Sequence, residues 1–187
     1  MRRTIAAIIL ATLPLLIAPV VFGKLSDEKF EQLKRKINST LRSDPKSACG
    51  DILEIAKDDS ERAVKYLIGI NRRALDNHDI IAALEQAFTS MRSDEARRKI
   101  IASAPKAVDY RIRILLIDTM KMFSGPDVQD ALVRCLDDRH EPVVLSALRV
   151  LGVKGTVTAI EPLIQKMEEL SKKNESGSRI YLSLIHI

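Results

Sequence analysis

HEPVVLSALRVLGVKGT, His140 to Thr156, is the stretch whose reading decides the fold of this chain. Two glycines, a lysine and a threonine close an apolar run, the ingredients of a phosphate-binding loop. Such a loop needs a preceding strand, four residues between its glycines and a lysine directly after the second. Here Gly152 and Gly155 have two residues between them, and Lys154 lies before the second glycine. The run from Val143 to Leu151 is apolar nearly all round, with a narrow polar strip through Ser146 and Arg149. That pattern describes a helix packed between neighbours on both sides. The stretch therefore reads as an elbow between helices, with Gly152 taking the left-handed conformation that ends a helix. Gly125 in FSGPDV, 30 residues before Gly155, marks the equivalent junction.

That spacing recurs along the chain. Ala48, Ile52 and Ala56 are followed 32 residues later by Ile80, Leu84 and Phe88. A further 32 residues lead to Ile112, Leu116 and Met120, and 31 more to Val143, Ala147 and Leu151. Each triple has i, i+4, i+8 spacing, one edge of a helix. A second column runs through Ile37, Ile68, Ile101, Leu132 and Leu163. Two interleaved columns predict a two-helix unit repeated over Ser26–Lys57, Ser60–Met91, Asp94–Phe123 and Pro126–Val153, with a fifth opening at Thr156. Ser26, Asp44-Pro45, Ser60 and Asn77 read as helix starts. Ala104-Pro105 and Ser124-Gly125-Pro126 read as stops. A single two-helix unit cannot bury its apolar face alone, so neighbours must stack.

Composition supports helices, because apolar residues make up 46% of the chain while aromatics are 4% and tryptophan is absent. The N-terminus has its own character. Arg2 and Arg3 precede a continuous apolar stretch, Ile5 to Phe22, and charge begins sharply at Lys24. This is the layout of a secretory signal over residues 1–23, with Pro14 and Pro19 disfavouring the alternative of a spanning anchor over 5–22. The expected location is exported, periplasmic or extracellular. Without the signal's two arginines, 28 basic residues face 25 acidic ones, a net charge of +3. A concentrated basic face is the mark of a nucleic-acid binder, so no nucleic-acid partner is expected. Membrane contact is expected only if the N-terminal segment stays uncleaved.

At DRHEPVVLSALRVLGVKGTVTAIEPLIQKM, Asp138 to Met167, the chain resembles the HEAT-repeat family, in particular the short bacterial repeats also called PBS-lyase-like. The matching positions are Asp138, Val143, Ala147, Leu151 and Gly152, and Ile112-Arg113 stands in the same place one unit earlier. Val144 replaces the arginine of that pattern in the fourth unit, leaving any Asp–Arg ladder between units partial. The resemblance is strong over Pro126–Met167, moderate over Ser60–Phe123 and weak before Ser60. It implies an all-α fold, a right-handed α-solenoid of about four and a half two-helix repeats over 24–171, whose second helices line the concave side. It implies no lyase chemistry, since a repeat scaffold has many uses.

Residues with catalytic potential do not assemble in the sequence. His78, His140 and His186 have no helical pairing with each other or with cysteine, so neither a metal nor a cofactor is expected. Cys49 and Cys135 lie on apolar helix stripes, where a thiol behaves as a small hydrophobe. Asp58-Asp59 and Asp137-Asp138 read as turn residues. What remains is a strip of polar side chains outside the apolar edges of the second helices: Arg113, Asp118 and Lys121 in the third unit, Ser146 and Arg149 in the fourth. These are the candidate binding residues, with inter-repeat ion pairing as the competing role. The fifth unit is followed by a polar insert and an apolar end, RIYLSLIHI, within residues 172–187. A solenoid requires a polar terminal cap, so the sequence reads as a fragment. The expected function is a non-enzymatic exported scaffold that binds a protein or peptide. The alternatives are the repeat arm of a larger envelope enzyme and a HEAT-like nucleic-acid binder.

Overall fold

The computed structural model describes residues 23–172, and every regular element among them is a helix. The expected signal or anchor over 1–22 and the terminal segment over 173–187 lie outside the described residues. Among the described residues no helix is long and apolar enough to cross a membrane. The helices are α1 (Asp27–Ser43), α2 (Pro45–Ala56), α3 (Glu61–Ile68), α4 (His78–Ser90), α5 (Asp94–Ser103), α6 (Tyr110–Thr119), α7 (Pro126–Cys135), α8 (Glu141–Lys154) and α9 (Ile160–Lys172). Single 3-10 turns occupy Arg72–Asp76, Met120–Met122 and Val157–Ala159.

Local chemistry sets most boundaries. The side chains of Ser26, Asp44, Ser60, Asn77, Ser93 and Asp109 each accept a hydrogen bond from a backbone N–H in the first turn of the helix they open. These bonds satisfy donors that the helix itself leaves unpaired. Pro45 and Pro126 stand in the first turns of α2 and α7, where a missing N–H costs nothing.

Packing follows the two columns. Helix α2 packs on α4, α4 on α6 and α6 on α8, while α3 packs on α5 and α5 on α7. Within units, α1 contacts α2, α5 contacts α6 and α7 contacts α8. All twelve residues of the first column, from Ala48 to Leu151, are at most 2% exposed. They form the apolar spine that joins neighbouring second helices. In the other column Ile37, Ile101 and Leu132 are buried, whereas Ile68 and Leu163 are half-buried. On α3 the wholly buried positions are Ala63, Val64 and Leu67, which this eight-residue helix turns inward.

The elbow at Arg149–Thr156 is present, but Gly152 does not end it. Helix α8 runs through Gly152 to Lys154, and its cap is Gly155 in an extended conformation. Gly155 N–H donates to Leu151 O at 2.6 Å, and a Cβ there would lie 2.5 Å from that oxygen. Close backbone approach, and not a left-handed φ, is therefore what selects glycine. The positive φ belongs to Gly125, at 137°.

Candidate functional site

The charged and polar side chains of the turns are used chiefly to join one helix pair to the next. Along the loops between units, Asp58 accepts from Leu25 N–H at 2.6 Å, while Asp59 accepts from the N–H groups of Arg92 and Ser93, each at 2.9 Å. Arg97 donates to Ser124 O at 2.8 Å and pairs with Asp127 at 3.0 Å. Gln129 accepts from Thr156 N–H at 3.0 Å, and Lys154 donates to Phe123 O at 3.4 Å. Every one of these ties spans about one period of the sequence. Asp59 makes its two bonds from a left-handed backbone, φ 44°, which aspartate tolerates better than most residues.

A second set of ties joins the turns inside units. Arg111 donates to Asp76 at 2.5 Å and to Arg72 O at 3.0 Å, and it also grips Asp109. Arg113 makes a two-point contact with Asp138, Nε to Oδ2 at 2.6 Å and Nη2 to Oδ1 at 3.0 Å, and donates to Ala107 O at 2.6 Å. His140 lies against this pair, with Nδ1 3.0 Å from Arg113 Nη2 and its ring stacked on Tyr110 at 5.0 Å.

These carboxylates are tuned by their settings. Burial pushes the Asp58 carboxyl up, but hydrogen bonds from Arg62, Ser60 and Leu25 outweigh it, and the net shift is downward. Asp138 follows the same balance, burial opposed by Arg113 and by the His140 N–H. For Asp109 the dominant influence is the Arg111 guanidinium, which lowers its pKa. A carboxylate held ionised in this way is an anchor for a guanidinium, not a proton-transfer group.

The five candidate strip residues separate into three situations. Arg113 is 6% exposed and consumed by Asp138, so it is a joint between units. Ser146 is 1% exposed and donates to Asp118 Oδ1 at 3.0 Å, linking α8 to α6. Asp118 also pairs with Lys121 at 2.9 Å. Asp118, Lys121 and Ser146 are therefore brought together, while Arg113 sits at the other end of α6. Arg149, one turn beyond Ser146, is exposed and has no ion pair among the described residues. Sequence reasoning could not separate these cases, because the partners of Arg113 and Ser146 lie 25 and 28 positions away.

Among the described residues no group of three histidine, cysteine or carboxylate side chains could hold a metal ion. Two recesses lie along the joints between helices. One, about 370 Å³, lies between α7, α8 and the turn that follows, walled by Val128, Leu132 and Leu151 with Lys154 and Thr156 at its edge. The other, about 950 Å³, lies between the end of α1 and the Arg72–Asp76 turn. Comparison with protein-family models, with curated proteins and with solved structures gives no match.

Proposed function

We propose that this chain is an exported α-solenoid of HEAT-like two-helix units and acts as a non-catalytic scaffold that holds a protein or peptide partner. The observation that carries the reading is the serial packing of α2, α4, α6 and α8 through one unbroken apolar column. Serial packing of equivalent helices produces an extended surface without closing a pocket, the form solenoids offer to partners. The export reading rests on the basic, apolar and then charged layout of residues 1–24. Further support comes from the ionisable side chains. Asp58, Asp109 and Asp138 are each engaged by arginine and belong to the joints between units.

Within this reading the binding strip narrows to its exposed members, Lys121 and Arg149, with Asp118 orienting Lys121. The test is capture of envelope proteins by the full chain and by a Lys121→Glu/Arg149→Glu variant with matched helical content and melting temperature. Loss of the captured partner in the variant supports the strip. Equal capture by both proteins removes it.

A further inference from the structure

The 950 Å³ recess has a chemical character that the strip does not share. Its walls come from the end of α1, the start of α2 and the 3-10 turn Arg72–Asp76, which exists because the connection between α3 and α4 is the longest within any unit. Two guanidinium groups line it, Arg42 from α1 and Arg73 from the turn. Both are exposed, and neither has a carboxylate partner among the described residues. Among the described residues of the lining the one carboxylate, Asp76, is already held by Arg111 at 2.5 Å.

The neutral groups point the same way. Asn71 Oδ1 accepts from Arg73 N–H at 2.9 Å, and Asn77 Oδ1 accepts from the N–H groups of Asp79 at 2.8 Å and Ile80 at 3.3 Å. Backbone donors fix which amide atom is the oxygen, so each side chain is left with its NH2 group to offer. The recess therefore presents guanidinium and amide donors beside two remaining acceptors, the Ser39 hydroxyl, whose O–H is spent on Lys36 O, and the Asp76 carboxylate, whose charge Arg111 balances. Its complement is a ligand rich in anionic oxygen.

Helix geometry selects among such ligands. Phosphate sites use free N–H groups at helix N-termini. Both helix starts at this recess are closed. Asp44 caps α2, whose first residue, Pro45, has no N–H, and Asn77 occupies the leading donors of α4. The remaining donors are dispersed side chains, above an apolar floor that includes Leu41 and Ala74. Dispersed donors suit separated carboxylates on an extended chain better than one compact phosphate. The volume lies at the upper end of the roughly 300–1,000 Å³ typical of ligand sites.

We propose that the groove between α1 and the Arg72–Asp76 turn binds an acidic peptide segment, with Arg42 and Arg73 pairing its carboxylates. The inference rests on the reading of the chain as a peptide-holding scaffold and assigns the chemistry of what is held.

The test uses the full chain and a fluorescein-labelled peptide of nine residues alternating glutamate and glycine, followed by polarisation. The same peptide with glutamine in place of glutamate is the control, and inorganic polyphosphate is the competing anion. The glutamate peptide should bind in preference to its glutamine counterpart. Arg42→Glu and Arg73→Glu should each weaken it about fivefold, and the double variant more than about twentyfold. Both substitutions are on exposed side chains, so helical content and melting temperature should not move. Arg98→Glu, an exposed arginine outside this groove, removes the same charge and should leave binding unchanged.

Equal binding of the two peptides overturns the inference, as does an unaltered affinity in the double variant. Binding of polyphosphate by the two arginines with none of the peptide overturns it in favour of a phosphate ligand. Failure here with partner capture still dependent on Lys121 and Arg149 removes the groove and leaves the scaffold standing. Peptide binding at Arg42 and Arg73 with capture indifferent to Lys121 and Arg149 removes the strip and leaves the groove.

Discussion

Arg113 and Asp138 meet 25 residues apart in a two-point contact that is 7% and 8% exposed on its two sides. The pair welds the turn of one helix pair to the turn of the next, since Arg113 also holds Ala107 O and Asp138 also accepts from the His140 N–H. Breaking such a pair from one side leaves the other charge buried and alone. Arg113→Ala or Asp138→Ala should therefore cost about 3–5 kcal/mol, read from urea unfolding. Arg113→Met combined with Asp138→Leu should cost less than either single change, because no uncompensated charge remains. A single-variant loss under 1 kcal/mol would show that the pair is not a joint.

The same carboxylates set the response to acid. Asp58, Asp109 and Asp138 have folded pKa values below the ordinary carboxylate range. A depressed folded pKa contributes stability that is fully present above the unfolded value, about 3.9 for aspartate. That contribution is lost as pH falls through the folded pKa. The melting temperature should thus hold from neutral pH to about 5 and fall steeply below about 4. Asp138→Asn should start lower and show a shallower acid decline. A melting temperature constant down to pH 2.5 would be incompatible with these three anchors.

What the sequence made legible was whatever depends on local pattern. Ala48 through Leu151 could be aligned by period alone, because burial on one helix edge forces apolar residues at i, i+4 and i+8. Ser26, Asp44, Ser60 and Asn77 were legible as caps because an oxygen two or three residues ahead of free N–H groups has an obvious use. Long-range pairing was legible in kind, as inter-repeat ion pairing, but not residue by residue. Arg113, Ser146 and Arg149 look alike as polar interruptions of apolar helices, yet two are buried joints and one faces solvent. The difference is made by Asp138 and Asp118, on other helices or turns. Gly152 misled for a related reason: glycine near an apolar end suggests a stop, but here the stop is set by Gly155 against Leu151 O.

One substitution should have opposite effects at two glycines. Gly50 lies within α2, exposed, with nothing within 4 Å of a Cβ placed there. Gly50→Ala should stabilise by about 0.5–1 kcal/mol, through helix propensity and a less flexible unfolded chain. Gly125 has φ 137° and ψ 164°, a region essentially reserved for glycine, and a Cβ there would lie 2.6 Å from Asp127 Oδ1. Gly125→Ala should destabilise by about 1–3 kcal/mol from backbone strain, with disturbance of the Arg97–Asp127 pair in addition. Melting temperatures shifted in the same direction by both changes would contradict this assignment of the seam.

The two cysteines report on the packing of different helices. Cys135 is 1% exposed on α7, and burial first, then the charge of Asp138, pushes its thiol up to about 12. Cys49 is half-buried on α2, donates to Pro45 O at 3.2 Å and is raised by burial and by Asp79. The thiolate is the reactive form, so both should resist a disulfide reagent at pH 8, and Cys135 far more. In the native chain Cys49 should react slowly and Cys135 only through unfolding, whereas in strong denaturant both should react at once. Added denaturant should accelerate Cys135 with the same sensitivity as global unfolding, because α7 is packed between α5 and α8. This shielding would let free thiols survive in an oxidising compartment, the setting expected for an exported chain. Labelling of Cys135 in the native state as fast as in the unfolded chain would mean that α7 opens locally, and with it the joint at Asp138.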